Sequence, residues 1–432
     1  MRRMNRRAFV FTAASFSRIL GANNHVRVGL IGSGGRGRWV AENISKAPNT
    51  SFTAFCDVDE DTAAKAKAQK WAAPEAKQFS DFRKLLELKE LDAVLVATPD
   101  HWHAIPTIYA IQAGKHVYVE KPLAHNIREG QAIVKAARNS NKIVMPGTQQ
   151  RSATHFPEVA DFIQSGRLGK VAYVRVWNFI NMLPDGIGHA EDEATPPGLD
   201  WDMYLGPAPK RPFNRLRFQR TYRWFWDYAG GFITDFGTHR FDTVHQIMGS
   251  DKPLTVSATG GRYALKDDGE FPDMMQVTYQ YPDFVLSYEA CTMSAHGIGG
   301  RTTGMKYYNM KGAEDRPHGM AFYGTNGAIF ADRIGYEIYP DGDKIQRSFK
   351  NTTDATPLHG PHFIAAIRGE QKPRTNAETG HRATIIGHLG NIAFKTGRKL
   401  QWDAETETIK GDAEATQLMG RVARKPWDVL SS

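Results

Sequence analysis

Apolar residues from Val26 to about Gln150 come in short runs that alternate with longer stretches of helical spacing. This alternation predicts a parallel sheet covered by helices. The predicted strands are Val26 to Ile31, Phe52 to Cys56, Ala93 to Ala97, His116 to Glu120 and Ile143 to Met145. The predicted helices are Asp61 to Trp71, Phe82 to Leu88, His103 to Gln112 and Arg128 to Asn139.

Past residue 150 the pattern changes to that of antiparallel strands in an α+β domain, with runs such as Val171 to Trp177 and Met275 to Tyr279. A segment rich in proline and aromatic residues, Thr195 to Tyr228, is too irregular to form one helix or strand. Such segments are usually lids, binding loops or oligomer arms. The chain is therefore expected to fold as two domains, over residues 25–150 and 151–432.

A glycine-rich turn follows the first predicted strand directly, and Asp57 follows the second. In such a turn the first glycine permits a tight bend, the second lets backbone approach a pyrophosphate, and the third lets the helix pack on the strand. The helix N-terminus then holds the phosphates through its free N–H groups and its dipole. The sequence therefore predicts a dinucleotide site. Its predicted contacts here are Gly32, Gly34, Gly35, Arg36, Gly37 and Asp57.

Asp57 bears on the choice of dinucleotide. Its carboxylate would accept hydrogen bonds from the adenosine ribose hydroxyls and would repel a 2′-phosphate, which favours NAD. Arg36 and Arg38 keep NADP as the alternative.

Composition adds little that is unusual. The 432 residues are 41% hydrophobic and 23% charged, which is typical of a soluble globular protein. The formal net charge is +9, but five arginines within the first 20 residues leave +4 for the rest. No basic run with interleaved aromatics is present, so nucleic acid is not an expected partner. Cys56 and Cys291 are the two cysteines of the chain, too few for a disulfide framework.

The first residues resemble a twin-arginine export signal, with Asn5 to Val10 followed by the apolar run Phe11 to Phe16. That run ends at Arg18 and is too short to span a membrane. Residues 1–24 are therefore expected to be a signal or a disordered tail, and the protein to be periplasmic or otherwise exported. A cytoplasmic enzyme with a basic tail is the alternative. Because free NAD would be scarce outside the cytoplasm, an exported enzyme would need to keep its cofactor bound.

Three stretches together resemble the glucose-fructose oxidoreductase/inositol dehydrogenase (Gfo/Idh/MocA) family. They are the glycine turn, the run Ala113 to Pro122 with its Glu-Lys-Pro ending, and the run Gly230 to Asp242. Thr98-Pro99 with His103, and the closing run Gly397 to Leu400, are also similar to family features. The resemblance extends over nearly the whole chain.

This resemblance implies an α/β protein with an N-terminal Rossmann domain and a C-terminal α+β domain. The second domain would carry a large, mostly antiparallel open sheet, whose exposed face makes homodimer or homotetramer contacts. The active site would lie between the domains. The resemblance also implies that Lys121 contacts the reacting hydroxyl and the nicotinamide ribose, and that Asp235 and His239 form an acid–base pair.

Spacing alone leads to a compatible site. Asp235, His239 and Asp242 stand at i, i+4 and i+7, so a regular helix would place them on one polar stripe facing a cleft. Oxidation of a carbinol needs a base whose pKa lies near the working pH, and histidine is the natural choice. A carboxylate such as Asp235 could orient the imidazole, while Lys121 could donate to the substrate oxygen. A solvated helical ion pair is the plainer interpretation of Asp235 and His239.

The remaining expected contacts follow the predicted strands or the aromatic segment. No metal site is expected, because His101 and His103 lack a third ligand at a recognisable spacing. The further expected cofactor contacts are Thr98, Pro99, His103, Glu120, Lys121 and Gln149. The expected substrate contacts are Arg151, Tyr222, Trp224, Trp226 and Asp242, with surface solvation or core packing as the alternative for Arg151 and the aromatic residues.

Three functions are compatible with these residues. The first is an NAD(P)-dependent oxidoreductase acting on a hydroxyl of a sugar, sugar derivative or polyol. The second is a glycoside-cleaving enzyme that transiently oxidises a ring hydroxyl and eliminates the aglycone, with no net redox change. The third is a non-catalytic sugar-binding protein, which would be expected to lack the lysine or the histidine.

Overall fold

The structure is a computed structural model, and it describes residues 24–298, 302–308 and 316–429. The twin-arginine-like segment lies outside these ranges up to residue 23. Among the described residues, no helix has the length and apolar character needed to cross a membrane.

The first half of the chain forms a six-stranded parallel sheet in the order β3-β2-β1-β4-β5-β6, which confirms the predicted Rossmann-like domain. Its strands are β1 Val26–Ile31, β2 Thr50–Cys56, β3 Ala72–Phe79, β4 Ala93–Val96, β5 His116–Val119 and β6 Val144–Pro146. Its helices are α1 Gly35–Ile44, α2 Glu60–Lys67, α3 Phe82–Leu86, α4 Ala104–Gln112 and α5 Ile127–Arg138.

Strand β3 is absent from the sequence prediction, which continued the preceding helix to Trp71. The strand contains Pro74 and mostly exposed positions, and it lies at the sheet edge, where a missing N–H is tolerated. Its pairing with β2 is irregular, since Phe52 pairs with Ala72 while Ala54 pairs with Lys77. A strand whose apolar and polar residues do not alternate lacks the two-residue periodicity by which a strand is recognised in a sequence. Each later strand of the sheet is therefore numbered one higher than the sequence predicted. The Glu-Lys-Pro motif accordingly follows the fifth strand rather than the fourth.

The second half contains a ten-stranded sheet in the order β14-β13-β12-β11-β7-β10-β9-β8-β15-β16. Neighbouring strands in this order are antiparallel except β7 with β10, so the prediction of a mostly antiparallel sheet is confirmed. Its strands are β7 Val171–Phe179, β8 Thr255–Gly261, β9 Met274–Gln280, β10 Val285–Cys291, β11 His318–Gly324, β12 Gly327–Asp332, β13 Gly335–Pro340, β14 Ser348–Asn351, β15 Leu400–Asp403 and β16 Thr408–Lys410.

Helices cover one face of this sheet and join it to the first domain. The described helices of this half are α6 His155–Gln164, α7 Trp201–Leu205, α8 Thr238–Met248, α9 Thr356–Ile367, α10 Ala377–Thr396 and α11 Ala413–Gln417. Helices α6, α8 and α10 pack on the sheet around Val174, Phe241 and Ile386. Helix α9 packs against α1, and α10 packs against α5. These contacts hold the two sheets around one cleft.

The proline- and aromatic-rich segment is irregular, as expected, but it has a core of its own. That core is made of Trp201, Tyr204, Leu205, Ala208, Phe213, Leu216, Tyr222, Phe225, Tyr228 and Ala229. The segment is tied to the first domain by hydrogen bonds from Asp200 N to Val58 O (2.9 Å) and from Glu60 N to Gly198 O (3.0 Å). It therefore lies over the end of β2, next to the predicted dinucleotide site.

Candidate active site

A cavity of about 840 Å³ begins at the glycine turn and continues between the two domains. The first domain lines it with the ends of β1, β4 and β5, the aromatic segment lines it with Tyr204 and Tyr222, and α8 contributes His239. Ligands of open parallel sheets bind at the carboxyl ends of the strands. The position of the cavity is therefore that of a dinucleotide with a second ligand beside it.

The glycine turn has the shape that a pyrophosphate requires. A Cβ at Gly32, where φ is +88°, would lie 2.5 Å from Thr98 N, and a Cβ at Gly37 would lie 2.1 Å from Gly32 O. A Cβ at Gly34 or Gly35 would meet nothing within 4 Å, so these two positions leave an open cradle. The N-terminus of α1 has no side-chain cap and no acidic residue in its first turn. Its free N–H groups and this cradle fit a dinucleotide pyrophosphate.

Substitution of two glycines of the turn is expected to affect cofactor binding and folding separately. Gly34→Ala is expected to leave the melting temperature unchanged, because φ is −62° there and the added methyl meets open space, while NAD affinity falls at least about tenfold. Gly37→Ala is expected to destabilise the fold by about 1–3 kcal/mol, because its methyl collides with backbone. Thermal unfolding and NAD titration of both variants check this. Wild-type NAD affinity in Gly34→Ala would show that the cradle does not hold the pyrophosphate.

Asp57 is fixed at the end of β2 by two backbone donors. Its Oδ2 accepts from Ser33 N at 2.7 Å and its Oδ1 accepts from Asp59 N at 3.1 Å. Burial raises the pKa of Asp57 to about 6, although these N–H groups oppose the shift. The carboxylate is therefore largely ionised at neutral pH and lines the cavity where a ribose can donate to it.

Four of the other expected cofactor contacts, Thr98, Pro99, His103 and Glu120, line the cavity. The two ring nitrogens of His103 lie 2.6 Å from Pro122 O and 2.9 Å from Thr98 O, so the histidine joins the loops after β4 and β5.

Arg36 also lines the cavity, but its Nη2 binds Glu120 Oε1 at 2.9 Å. Two expected cofactor contacts do not line the cavity. Gly37 lies behind the turn, and Gln149 donates from its amide to Glu120 Oε1 at 2.9 Å. Gln149 follows the last strand of the sheet and also donates to Tyr118 OH at 3.2 Å, so in this structure it positions the Glu120 carboxylate.

Lys121 and Asp235 meet inside the cavity, one from each domain. Lys121 Nζ donates to Asp235 O at 2.8 Å and to the Asp235 side-chain oxygen Oδ1. The other carboxylate oxygen of Asp235 lies 3.3 Å from Arg223 Nε. Burial alone would raise the pKa of Asp235, but the two cations lower it to about 2. Asp235 is therefore ionised throughout the working range and binds the Lys121 ammonium.

His239 lines the same cavity but is not paired with Asp235. Among the described residues no hydrogen bond joins the two side chains, because Lys121 and Arg223 occupy both oxygens of Asp235, so this carboxylate does not orient the imidazole as expected. Burial lowers the pKa of His239 well below its usual value, and the charge of Lys121 lowers it further. The imidazole is therefore neutral and able to accept a proton.

The expected polar stripe is interrupted by a π-helical turn, Ile233–Gly237, directly before α8. Such a turn adds a residue to the helix circumference, so a single angle of 100° per residue does not relate Asp235 to the residues of α8. Asp242 is 1% exposed and does not line the cavity. Its carboxylate binds Arg151 through Nε at 2.9 Å and Nη2 at 2.8 Å. Asp242 and Arg151 therefore join the loop after β6 to α8 and are not substrate contacts.

Of the three aromatic substrate contacts that were expected, only Tyr222 lines the cavity. Its hydroxyl donates to the buried Asp100 Oδ1 at 2.9 Å. Trp224 packs near Phe232, and Trp226 packs on Phe271 with ring centroids 3.7 Å apart. The backbone turns through a 3₁₀ helix, Gln219–Trp224, so neighbouring side chains leave it in different directions. Trp224 and Trp226 serve the packing of the second domain instead.

The polar side chains that line the cavity and that the sequence prediction missed include Arg223, Tyr308 and Arg333. Arg223 stands within the aromatic run of Tyr222 to Tyr228 that the sequence singled out, so a cation among those aromatics was the available signal. Tyr308 precedes β11, and Arg333 directly follows β12. Both are far along the chain from the other site residues, and no local motif marks them.

Comparison with known proteins agrees with this architecture. Residues 26–148 match the family model described as "Oxidoreductase family, NAD-binding Rossmann fold", and residues 158–429 match "Oxidoreductase family, C-terminal alpha/beta domain". A myo-inositol 2-dehydrogenase of Thermotoga maritima is 23% identical over 384 residues, which cover 87% of this chain and 98% of the relative.

Two further similar proteins differ in how much of this chain they match. A glycosyl hydrolase family 109 protein of Solibacter usitatus is 37% identical, but over only 128 residues, 28% of this chain and 29% of the relative. The solved structure of a levoglucosan dehydrogenase with NADH and levoglucosan has a similar fold, with a TM-score of 0.64 and 18% identity over 87% of this chain and 99% of its own.

Proposed function

Since the chain belongs to the Gfo/Idh/MocA family of oxidoreductases and carries its NAD-binding Rossmann domain, we propose that it oxidises or reduces a hydroxyl-bearing carbon of a sugar, sugar derivative or polyol. The observation that carries this proposal is the meeting of Lys121, Asp235 and His239 in the cavity that begins at the glycine turn. The full-length relatives support the substrate class, since they include inositol dehydrogenases.

The side chains divide the proton chemistry between them. The nicotinamide, when bound, supplies the hydride acceptor or donor. His239 is neutral and accepts the hydroxyl proton during oxidation, then returns it during reduction. The Lys121 ammonium donates to the substrate oxygen as negative charge develops on it. Asp235 holds the ammonium in place, and Arg223 holds Asp235 from the other side.

A panel of sugars, polyols and aryl glycosides tests the proposal. We expect absorbance of reduced nicotinamide to appear in the NAD-loaded protein with at least one sugar or polyol, and a keto product to form. Release of an aglycone with no net cofactor reduction would instead support the glycoside-cleaving function, for which the 128-residue similarity to a glycosyl hydrolase family 109 protein is the supporting observation. Failure of every compound to change the cofactor would contradict the proposal.

We propose NAD rather than NADP as the cofactor, because Asp57 lines the cavity with a carboxylate. Of the two arginines that keep NADP open, Arg36 binds Glu120, and Arg38 donates from Nη1 to Ser33 O at 2.8 Å. Titration of the apoprotein with each dinucleotide compares the two. Tighter binding of NADP would contradict the assignment.

We also propose that the cofactor stays bound between turnovers. The aromatic segment supports this, because Met203, Tyr204 and Phe218 line the same cavity as the glycine turn. The C-terminal residues brace that segment, since Arg424 Nε donates to Gly206 O at 2.9 Å and its Nη1 binds Asp202 Oδ1 at 2.7 Å. Nucleotide that survives gel filtration, identified by mass spectrometry, would support retention, and its loss on a single passage would count against it.

Export by the twin-arginine route is a further proposal, and it rests on Asn5 to Val10 and on the small number of cysteines. Fractionation of cells that express the chain, with and without lysine at Arg6 and Arg7, tests it. Equal distribution of the two forms would contradict the proposal.

We propose that the outer face of the ten-stranded sheet pairs with a second copy of the chain. The opposite face is covered by helices, while Tyr173 and Val285 on the outer face are 37% and 38% exposed. Tyr173 stacks on Tyr323 with ring centroids 5.4 Å apart, which gives this face an aromatic patch. Light scattering that finds only monomers would contradict the pairing.

A further inference from the structure

The wall of the cavity that comes from the second domain contains an incompletely satisfied guanidinium. Arg333 lies in the two-residue turn between β12 and β13 and lines the cavity together with Tyr308 and His239. Its side chain is 14% exposed. A guanidinium presents five N–H donors in a planar fork, so most of these donors need partners when the group is buried.

The described neighbours of Arg333 provide few of those partners. Its Nη1 donates to Tyr308 OH at 3.1 Å, and its Cζ lies 4.5 Å from the centre of the Tyr308 ring. The buried Nε has no hydrogen-bond partner, and among the described residues none is found for Nη2. Asp354 Oδ2 lies 3.6 Å from Nη1, an ion pair too long for a hydrogen bond, while Oδ1 of the same carboxylate accepts from Thr356 N and Oγ1.

The cavity also has an excess of positive charge. The described side chains that line it include three carboxylates, those of Asp57, Glu120 and Asp235. The cationic side chains that line it are Arg36, Arg38, Lys65, Lys121, Arg220, Arg223 and Arg333. The two phosphates of a dinucleotide would neutralise only part of this excess. Behind the wall, the carboxylates of Asp332 and Glu337 each lie 3.5 Å from the buried Arg316, so they are engaged there and do not compensate Arg333.

On the basis of the proposed oxidoreductase function, we propose that the substrate carries an anionic group, a carboxylate or a phosphate ester, which Arg333 binds. Nη2 and Nε lie on one edge of the fork, where Nη2 donates to an oxygen of the anion and the buried Nε is the adjacent unpartnered donor. Tyr308 holds the guanidinium from its other edge through Nη1. Arg333 is thus a specificity-determining residue, and neutral sugars would leave its donors unsatisfied.

Matched pairs of sugars test this specificity. The pairs are glucose with glucuronate, galactose with galacturonate, and mannose with mannuronate. The 6-phosphate of each hexose is tested as a second anionic compound. In the wild type we expect kcat/KM for the anionic member to exceed that of the neutral member by at least about tenfold. Arg333→Met is expected to lower kcat/KM for the anionic member by about 10- to 100-fold and to change the neutral member less than about threefold. The uronates and the 6-phosphates distinguish a carboxylate from a phosphate.

Two further variants and a binding measurement complete the test. Arg333→Lys should restore part of the preference, while Arg347→Met, at an arginine that packs on Tyr339 and does not line the cavity, should leave it unchanged. Calorimetry of the NAD-loaded protein measures binding of each pair without turnover. The inference is overturned if the neutral members bind as tightly as the anionic ones, or if Arg333→Met weakens both equally. Binding of acids through Arg333 without any cofactor reduction would contradict the proposed function and leave this subsite intact.

Discussion

Lys121→Met is expected to lower kcat for sugar oxidation by about 10²- to 10⁴-fold while the protein still folds and binds NAD. Methionine keeps a long unbranched side chain but removes the charge that contacts Asp235 O and Oδ1. The substrate oxygen then loses the cation that stabilises its developing charge. Stopped-flow measurement of cofactor reduction gives the rate, and NAD titration shows whether the cofactor site is intact.

The matched control is Lys135→Met, at an exposed lysine of α5 outside the cavity, which should leave kcat unchanged. The variant also affects Asp235, because its pKa is held at about 2 partly by Lys121. Arg223 remains beside Asp235 and keeps it ionised at neutral pH, so the loss of rate reports on Lys121 itself. A Lys121→Met enzyme with wild-type kcat would show that this lysine takes no part in the reaction.

His239→Gln is expected to lower kcat by about 10²- to 10⁴-fold, because the amide cannot accept the proton of the hydroxyl. The pH profile provides a second readout. Burial, together with the charges of Lys121 and Arg333, lowers the pKa of His239, so the neutral imidazole persists to a lower pH than that of a free histidine. Oxidation by the wild type should therefore stay constant as pH falls from about 8 to 6.5 and decline only below that range.

The control for this prediction is His189→Gln, at an exposed histidine that precedes the aromatic segment, binds Asp268 and does not line the cavity. It should retain the wild-type rate and profile. An acid limb centred near pH 6.5 or above in the wild type would show that another group is the base, as would a His239→Gln enzyme with an unchanged rate.

The parts of the site that the sequence predicted are those in which one local motif sets the geometry. The glycine turn, Asp57 and Lys121 each directly follow a buried strand of the parallel sheet, and the carboxyl ends of parallel strands meet at one edge. Strong apolar runs identify such strands, and this is why most residues predicted at the dinucleotide end do line the cavity. The sequence did not predict strand β3, because only one of its residues is buried and one of them is Pro74.

The substrate end depends on geometry that no local pattern reports. The π-helical turn Ile233–Gly237 changes the angular relation between Asp235 and α8, so a regular helical wheel placed Asp242 in the site when it binds Arg151 instead. Arg223 and Arg333 enter the cavity from an irregular segment and from a hairpin turn. Their roles depend on tertiary contacts with Asp235 and Tyr308, which sequence spacing does not encode.

Transfer of an isotope label tests most directly whether the nicotinamide lies next to Lys121 and His239. A sugar that reduces the bound cofactor would be prepared with deuterium on the carbon that is oxidised and mixed with NAD-loaded protein, and the released nucleotide would be weighed by mass spectrometry. We expect one deuterium in the reduced cofactor of the wild type and almost none, within the same time, for Lys121→Met and His239→Gln. Reduced cofactor without deuterium, or equal labelling in all three proteins, would contradict this account of the site.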